Sequence, residues 1–176
     1  ADAHETFGLL DGRPVLYIAL ATGADSIFCL LDMSHIKVAE VMEDGVFSPP
    51  KEAPEMKIML ATASVVPFRA LPEGIKAPSD AEGFILTYGT EEECRALAAE
   101  FRSEGERLKA ERKERMNGLV TEYNPLKTNI PELDRALAWI TITMDELITE
   151  QQGNGIYAGL PWFNEYWGRD MFISMP

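Results

Sequence analysis

Cysteine and histidine are scarce in this chain of 176 residues, which contains two of each. Cys29 and Cys94 lack the close spacing of zinc-binding pairs, and His4 and His35 lie far apart with no ligand pattern around them. Two reduced thiols packed within the fold, one on a strand and one at the start of a helix, are the simplest interpretation. We therefore expect no metal site and no cofactor.

Basic residues and long apolar runs are also in short supply. The chain has 16 Lys and Arg against 29 Asp and Glu, a formal net charge of −13, and a field of this sign repels phosphate backbones and anionic lipid headgroups. Its longest apolar runs, 15–21 and 27–31, are much shorter than the roughly 20 residues that span a bilayer. We therefore expect neither nucleic acid nor a membrane as a partner and, because no signal-peptide pattern opens the sequence, a cytoplasmic location.

The chain does contain enough apolar residues for a packed core, 46% of the total. In residues 1–90 they form short runs between turn signals, which predicts about five strands in an antiparallel sheet or sandwich. The first two runs are separated by a turn and are predicted to form a hairpin. The proline-rich segment 48–54 is predicted to be a loop, because proline lacks the donor for a ladder hydrogen bond. The clearest predicted strands are 14–20, 27–31, 57–63 and 83–88.

At residue 90 the hydrophobic period changes from that of a strand to that of a helix. The sequence Thr90-Glu91-Glu92-Glu93 fits a capping box, in which the threonine and the last glutamate each bond the other's backbone amide. We expect a helix that Gly105 bends or interrupts and that Asn117-Gly118 ends. The charged run 104–115 is interpreted as its solvated face.

A second helix is indicated more strongly. Asn129 is predicted to cap it, Pro131 suits its first turn, and Glu132 completes a capping box. Its apolar residues recur at offsets of three and four, so one side is predicted to face a core. These residues are Leu133, Ala136, Leu137, Ile140, Met144, Leu147 and Ile148.

The stretch GLPWFNEYWGRDMF, residues 159–172, combines several aromatic side chains with an adjacent arginine and aspartate. Pyranose rings pack their C–H faces on aromatic rings, and their hydroxyls match the forked donors of arginine and the paired oxygens of a carboxylate. The stretch therefore has the composition of a sugar site. Composition alone leaves open that the aromatics are core residues and that the charged pair forms structural salt bridges. The residues concerned are Trp162, Phe163, Tyr166, Trp167, Arg169 and Asp170.

The segment GIYAGLPWFNEYWGRDMFISMP strongly resembles the one that opens the catalytic barrel of glycogen debranching enzymes of the bacterial and archaeal type, the amylo-α-1,6-glucosidase family. The preceding PELDRALAWITITMDELIT resembles the first barrel helix of that family, and the resemblance covers residues 128–176. A looser resemblance extends upstream through GFILTYGTEEECRALAAEF, which is similar to the joint between the family's N-terminal β domain and its linker helix.

The resemblance implies an α+β fold, in which an antiparallel β-rich N-terminal region is followed by a linker helix and the first helices of an (α/α)6 toroid. It divides the chain into the end of a β domain at 1–90, a linker helix and loop at 91–127, and the truncated start of the barrel at 128–176.

The resemblance also implies roles for individual residues. Arg169 and Asp170 match the family pair that hydrogen-bonds hydroxyls of the terminal glucose, Trp167 matches a tryptophan lining that subsite, and Phe163 falls at the aromatic position under the sugar. Trp162 also fits the motif. The family is an inverting one, and its general acid and general base, carboxyls roughly 6.5 to 9.5 Å apart, lie on later barrel helices. No residue of this chain is therefore expected to be catalytic.

We accordingly expect a fragment of a glycoside hydrolase that is inactive on its own. Its expected partners are an α-glucoside or glucan substrate and the remainder of its own barrel. A standalone carbohydrate-binding or protein-interaction module without catalytic activity is the alternative that the sequence leaves open.

Overall fold

The computed structural model describes residues 4–31, 40–51, 53–71, 74–123, 126–149, 155–159 and 163–168. The chain divides into two compact units, Ala1–Arg112 (unit 1) and Lys113–Pro176 (unit 2). An antiparallel β-rich N-terminal region is followed by a long helix and then by a second helix. The predicted α+β class is therefore confirmed.

Unit 1 contains short strands that form two antiparallel sheets. They are β1 (His4–Leu9), β2 (Val15–Ala21), β3 (Ser26–Leu30), β4 (Glu40–Val41), β5 (Val46–Ser48), β6 (Lys57–Thr62), β7 (Arg69–Leu71), β8 (Gly74–Pro78) and β9 (Gly83–Gly89). The larger sheet has the order β1-β2-β9-β6-β5-β4, and the smaller has the order β3-β8-β7. The sequence predicted about five strands. Strands of three residues, such as β5 and β7, are too short to show a period, and the prediction also missed the longer β1 and β8.

The central strands β6 and β9 are buried on both faces, since successive residues contribute to two different cores. Met59 and Ile85 pack in a first core with the long helix α1 (Glu91–Glu122). Their neighbours Leu60 and Phe84 pack in a second core with the smaller sheet. Unit 1 is therefore layered, with the larger sheet between α1 and the smaller sheet. The first core adds Cys94, Ala98, Phe101 and Leu108 of α1, and the second adds Ile27, Ile75 and Ala77 of the smaller sheet.

The hairpin predicted for the first two apolar runs is wrong. β2 pairs with β1 and β9 of the larger sheet, whereas β3 pairs with β8 of the smaller sheet. The connecting segment 22–25 forms a turn in which the Thr22 hydroxyl accepts a hydrogen bond from the Ala24 amide, 3.2 Å away. Apolar runs on either side of a turn indicate two strands but do not indicate that the two pair.

The capping box predicted at the start of α1 is confirmed. The Glu93 amide donates to Thr90 Oγ1 at 3.3 Å, and the Thr90 amide donates to the Glu93 carboxylate at 2.8 Å. The Thr90 hydroxyl also donates to this carboxylate at 2.8 Å, and the hydrogen bonds from the Thr90 amide and hydroxyl lower the pKa of Glu93. The predicted positions of the two thiols are also confirmed, because Cys29 lies on β3 and Cys94 lies in the first turn of α1. Both cysteines are free, and burial raises the pKa of each thiol.

The predicted interruptions of this helix are wrong, because α1 continues through both glycines to Glu122. Gly105 is buried against the Phe101 ring, and a Cβ at position 105 would stand 3.5 Å from it. This distance is an ordinary van der Waals contact, so the packing does not by itself require glycine at this position. At Gly118 a Cβ would meet nothing within 4 Å, so nothing in the surroundings of this glycine opposes the helix.

In unit 2 the second helix is α2 (Pro131–Leu147), as predicted, with Pro131 in its first turn. The capping by Asn129 is wrong: Ile130 occupies the N-cap position without a side-chain hydrogen bond. Asp134 instead accepts hydrogen bonds from the amide and the hydroxyl of Thr128, both at 2.9 Å. The side of α2 that was predicted to face a core is not covered in unit 2, where no α2 residue is buried. In the described part of the chain, no helix is long and apolar enough to cross a membrane.

Truncation of two adjacent residues on β6 tests whether this strand is covered on both faces. Met59→Ala and Leu60→Ala are each expected to lower the free energy of unfolding by about 2–5 kcal/mol, because each leaves a cavity in a different core. Urea denaturation measures both. The exposed Val65→Ala is the control and is expected to change stability by less than about 0.5 kcal/mol. A small effect for either Met59 or Leu60 would show that one face of the strand is solvated.

Replacement of Gly118 tests the continuity of α1. Gly118→Ala is expected to stabilise the local helix by about 0.5–1 kcal/mol and to slow amide hydrogen exchange over residues 115–122. Gly12 is the matched control, because it also has open space around its Cβ position but has a φ of 64°, so Gly12→Ala is expected to destabilise the protein. Faster exchange in Gly118→Ala would instead support a helix that ends at 117–118.

Candidate functional site

The five predicted sugar-binding residues fall at the C-terminal end of unit 2. The described backbone places Phe163 at the start of a short strand and Trp167 directly after that strand, with 52% of Trp167 exposed. Trp162, Arg169 and Asp170 lie outside the described residues. The grouping of these five side chains into one sugar subsite therefore stays a prediction.

A small antiparallel sheet carries this part of the chain. Its strands are β10 (Ile148–Thr149), β11 (Gly155–Gly159) and β12 (Phe163–Tyr166), in that order. Between β11 and β12 the pairing shifts register, with Tyr157 opposite Tyr166 and Gly159 opposite Phe163. Such an irregularity changes the direction in which a strand presents its side chains. Part of the aromatic stretch therefore lies on β12, which ends three residues before Arg169.

Tyr166 has a structural position within this sheet. Its ring lies 5.6 Å from that of Tyr157 at an angle of 38°, and its hydroxyl donates a hydrogen bond to the Thr149 carbonyl of β10 at 3.3 Å. The same ring covers Gly155, where a Cβ would come within 2.7 Å of it. Only glycine allows this approach. Tyr166 therefore joins the three strands, and its ring is not a free face for a sugar.

Two tryptophans of unit 2 present apolar surface instead. Trp167 follows β12, and Trp139 lies on α2 with 68% of its surface exposed. Trp139 was not among the predicted site residues, because it sits one position outside the apolar stripe of α2 and has no counterpart in the aromatic stretch. An indole ring in this state can stack on the apolar face of a sugar or pack against protein.

The charged groups around α2 are paired within unit 2. Hydrogen bonds from Thr128 lower the pKa of Asp134 at the start of the helix. Near its end, the Asp145 carboxylate accepts a hydrogen bond from the Arg115 guanidinium at 2.9 Å. Glu165 on β12 is exposed. Over the ranges that the structure describes, there is no group of three or more His, Cys, Asp or Glu side chains that could hold a metal ion.

Comparison with known proteins bears on the same C-terminal region. Residues 126–176 match the family model described as amylo-alpha-1,6-glucosidase. The match supports the family resemblance over that region, which is less than a third of the chain, and starts two residues before the predicted 128. No curated protein and no solved structure matches the chain. The C-terminal region of this chain is therefore similar to the amylo-alpha-1,6-glucosidase family.

Proposed function

We propose that residues 126–176 form one wall of the terminal-sugar subsite in a glycoside hydrolase of the glycogen-debranching type, as in bacteria and archaea. The family match over this region carries the proposal, because it includes the complete Trp-Gly-Arg-Asp element at 167–170. The substrate would be a terminal α-glucoside of a glycogen-like glucan or of a smaller glucoside.

The proposed division of labour follows from the chemistry of these groups. The guanidinium of Arg169 offers a rigid fork of donors, and Asp170 offers two acceptor oxygens, so the pair can bond adjacent sugar hydroxyls from both sides. Trp167 is half exposed at the end of β12 and can cover an apolar ring face. Phe163 and Trp162 would complete the aromatic wall. The three groups 167, 169 and 170 are close enough in sequence to reach a single hexose.

The exposed apolar stripe of α2 supports assignment of this helix to an (α/α)6 toroid. Leu133 and Ile140 on this stripe are 44% and 58% exposed, and unit 2 buries no residue of the helix. A helix with such a stripe has the pattern of one that packs against further helices. In the proposed enzyme, those helices would belong to the remainder of the barrel.

The proposed reaction is hydrolysis with inversion at the anomeric carbon. A general acid protonates the leaving glycosidic oxygen while a general base takes a proton from the water that attacks the opposite face of the ring. We assign neither role to Asp170 or Glu165, because the resemblance gives Asp170 a binding role and gives Glu165 none. Acid and base would be supplied by later barrel helices, and the 176-residue chain would bind sugar without cleaving it.

The gene sequence beyond codon 176 tests the assignment to a larger enzyme. We expect the reading frame to continue for several hundred codons with helical periodicity and paired carboxylates, and the 176-residue chain to show no turnover of terminal α-glucosides. A stop codon directly after Pro176 would contradict the proposal and favour the standalone carbohydrate-binding or interaction module.

Substitution of the charged pair in the full-length protein tests the subsite. Arg169→Ala and Asp170→Ala are each expected to lower kcat/KM on terminal α-glucosides by at least about 100-fold, or roughly 2.7 kcal/mol of transition-state stabilisation. Arg135→Ala is the matched control, because it removes an arginine from the same region that pairs, among the described residues, with the exposed Glu132 at 3.6 Å. Its kcat/KM should stay within about twofold. Unchanged kinetics in Arg169→Ala and Asp170→Ala would refute their role in the subsite.

A further inference from the structure

A cavity in unit 1 is lined by residues that precede the region of the family match in the sequence. Its volume is about 520 Å³, and it is bounded by β2, β9, the segment that follows β6, and the middle of α1. This volume is in the range of small-molecule sites in proteins. The residues that line it include the apolar Ala19, Ala63 and Val65.

Arg102 of α1 lines this cavity and also a second one, which includes Thr62 and Asp44. It is bonded differently from the other arginines of the helix in unit 1. Its Nε and Nη2 atoms both donate to the Thr62 carbonyl oxygen, at 3.2 and 3.0 Å. These two donors form the side edge of the guanidinium. The end edge, made by Nη1 and the second hydrogen of Nη2, has no acceptor among the described residues and matches the two oxygens of a carboxylate.

Among the described residues, no carboxylate forms an ion pair with Arg102. Partial burial lowers the pKa of Arg102, whereas hydrogen bonds to carboxylates raise the pKa of Arg13, Arg95 and Arg107. The negative charge of Asp44 acts on Arg102 in the opposite direction, but Asp44 itself accepts a hydrogen bond from Arg95 at 2.8 Å. A partly desolvated cation bonded to only one carbonyl gains more from an incoming anion than a cation that is already paired.

The other charged side chains of the cavity wall already form hydrogen bonds or ion pairs within unit 1. Glu82 accepts a hydrogen bond from the Ser64 hydroxyl at 3.2 Å. Arg107 bonds Glu104, and Lys109 bonds Glu106 at 2.5 Å. Among the described residues of the wall, Arg102 is therefore the cation without a carboxylate partner. A single such cation fits one negative charge better than a phosphate dianion.

We propose that Arg102 binds the carboxylate of a small organic acid, with the apolar body of the acid in this cavity. The planar end edge of the guanidinium would hold both carboxylate oxygens, while Thr62 fixes the side edge and so the orientation of the fork. The concave wall favours a small molecule over a protein surface. This site is independent of the proposed sugar subsite.

Titration with benzoate tests the proposal on the 176-residue chain, followed by amide chemical shifts in NMR spectra. Benzoate is expected to give saturable shifts around residues 62–64 and 101–109 with a Kd in the millimolar range. Benzamide, which has the same shape and no charge, should bind at least about tenfold more weakly. Equal binding of the two, tighter binding of inorganic phosphate, or no saturation by about 50 mM benzoate would each overturn the proposal.

Variants then locate the binding group. Arg102→Gln should weaken benzoate binding by at least about tenfold, and Arg102→Lys should weaken it less, because it keeps the charge but loses the fork. Arg107→Gln removes the same charge from the same wall and should change Kd by less than about twofold. An equal loss in Arg107→Gln would point to the general field and refute the role of Arg102. Should Arg102→Gln fail to fold, the comparison of benzoate with benzamide on the unmodified chain decides the question.

Discussion

The burial of β6 and β9 on both faces is the constraint on which the rest of unit 1 depends. Met59 and Leu60 are adjacent, and each is excluded from solvent on a different side of the sheet. Both sides therefore need a cover, which α1 provides on one side and the smaller sheet on the other. Loss of either cover would expose alternate residues along both strands, so the three layers stabilise one another.

The same arrangement determines where α1 starts and what it carries. β9 ends at Gly89 and α1 begins at Glu91, so Thr90 alone connects them. A Cβ at Gly89 would lie 2.9 Å from the Glu93 carboxylate, which shows how closely the first helical turn folds back on the strand. With its start fixed, the helix brings Arg102 to the Thr62 carbonyl at the end of β6. The position of this arginine is therefore a consequence of the sheet.

Local signals in the sequence were sufficient for some elements and not for others. The capping box at Thr90 could be predicted because both partners lie within four residues, and the helical stripe starting at Leu133 was equally clear. Gly118 was misinterpreted because a glycine after a charged run is typical of a helix end, whereas its structural environment leaves the helix uninterrupted. The pairing of β3 could not be predicted, because its partner is β8, more than forty residues later, and not the neighbouring strand β2.

The candidate sites differ in the same way. The Trp-Gly-Arg-Asp element is contiguous, so a resemblance could identify it, but the role of Tyr166 depends on Gly155 and Thr149 of other strands and is visible only in the fold. The cavity at Arg102 depends on contacts 40 residues apart.

Arg102 has no carboxylate partner among the described residues, although the chain has 29 acidic residues against 16 basic ones. A shortage of carboxylates is therefore not the reason. Arg95 and Arg107 on the same helix are each bonded to two carboxylates. The difference lies in position. Arg102 bonds the main-chain carbonyl at the end of β6, its one acceptor among the described residues, whereas Arg95 and Arg107 bond exposed acidic side chains. In a chain with a net charge of −13, long-range attraction of an anion is weak. Selectivity at Arg102 must therefore come from the short-range fork and the apolar wall.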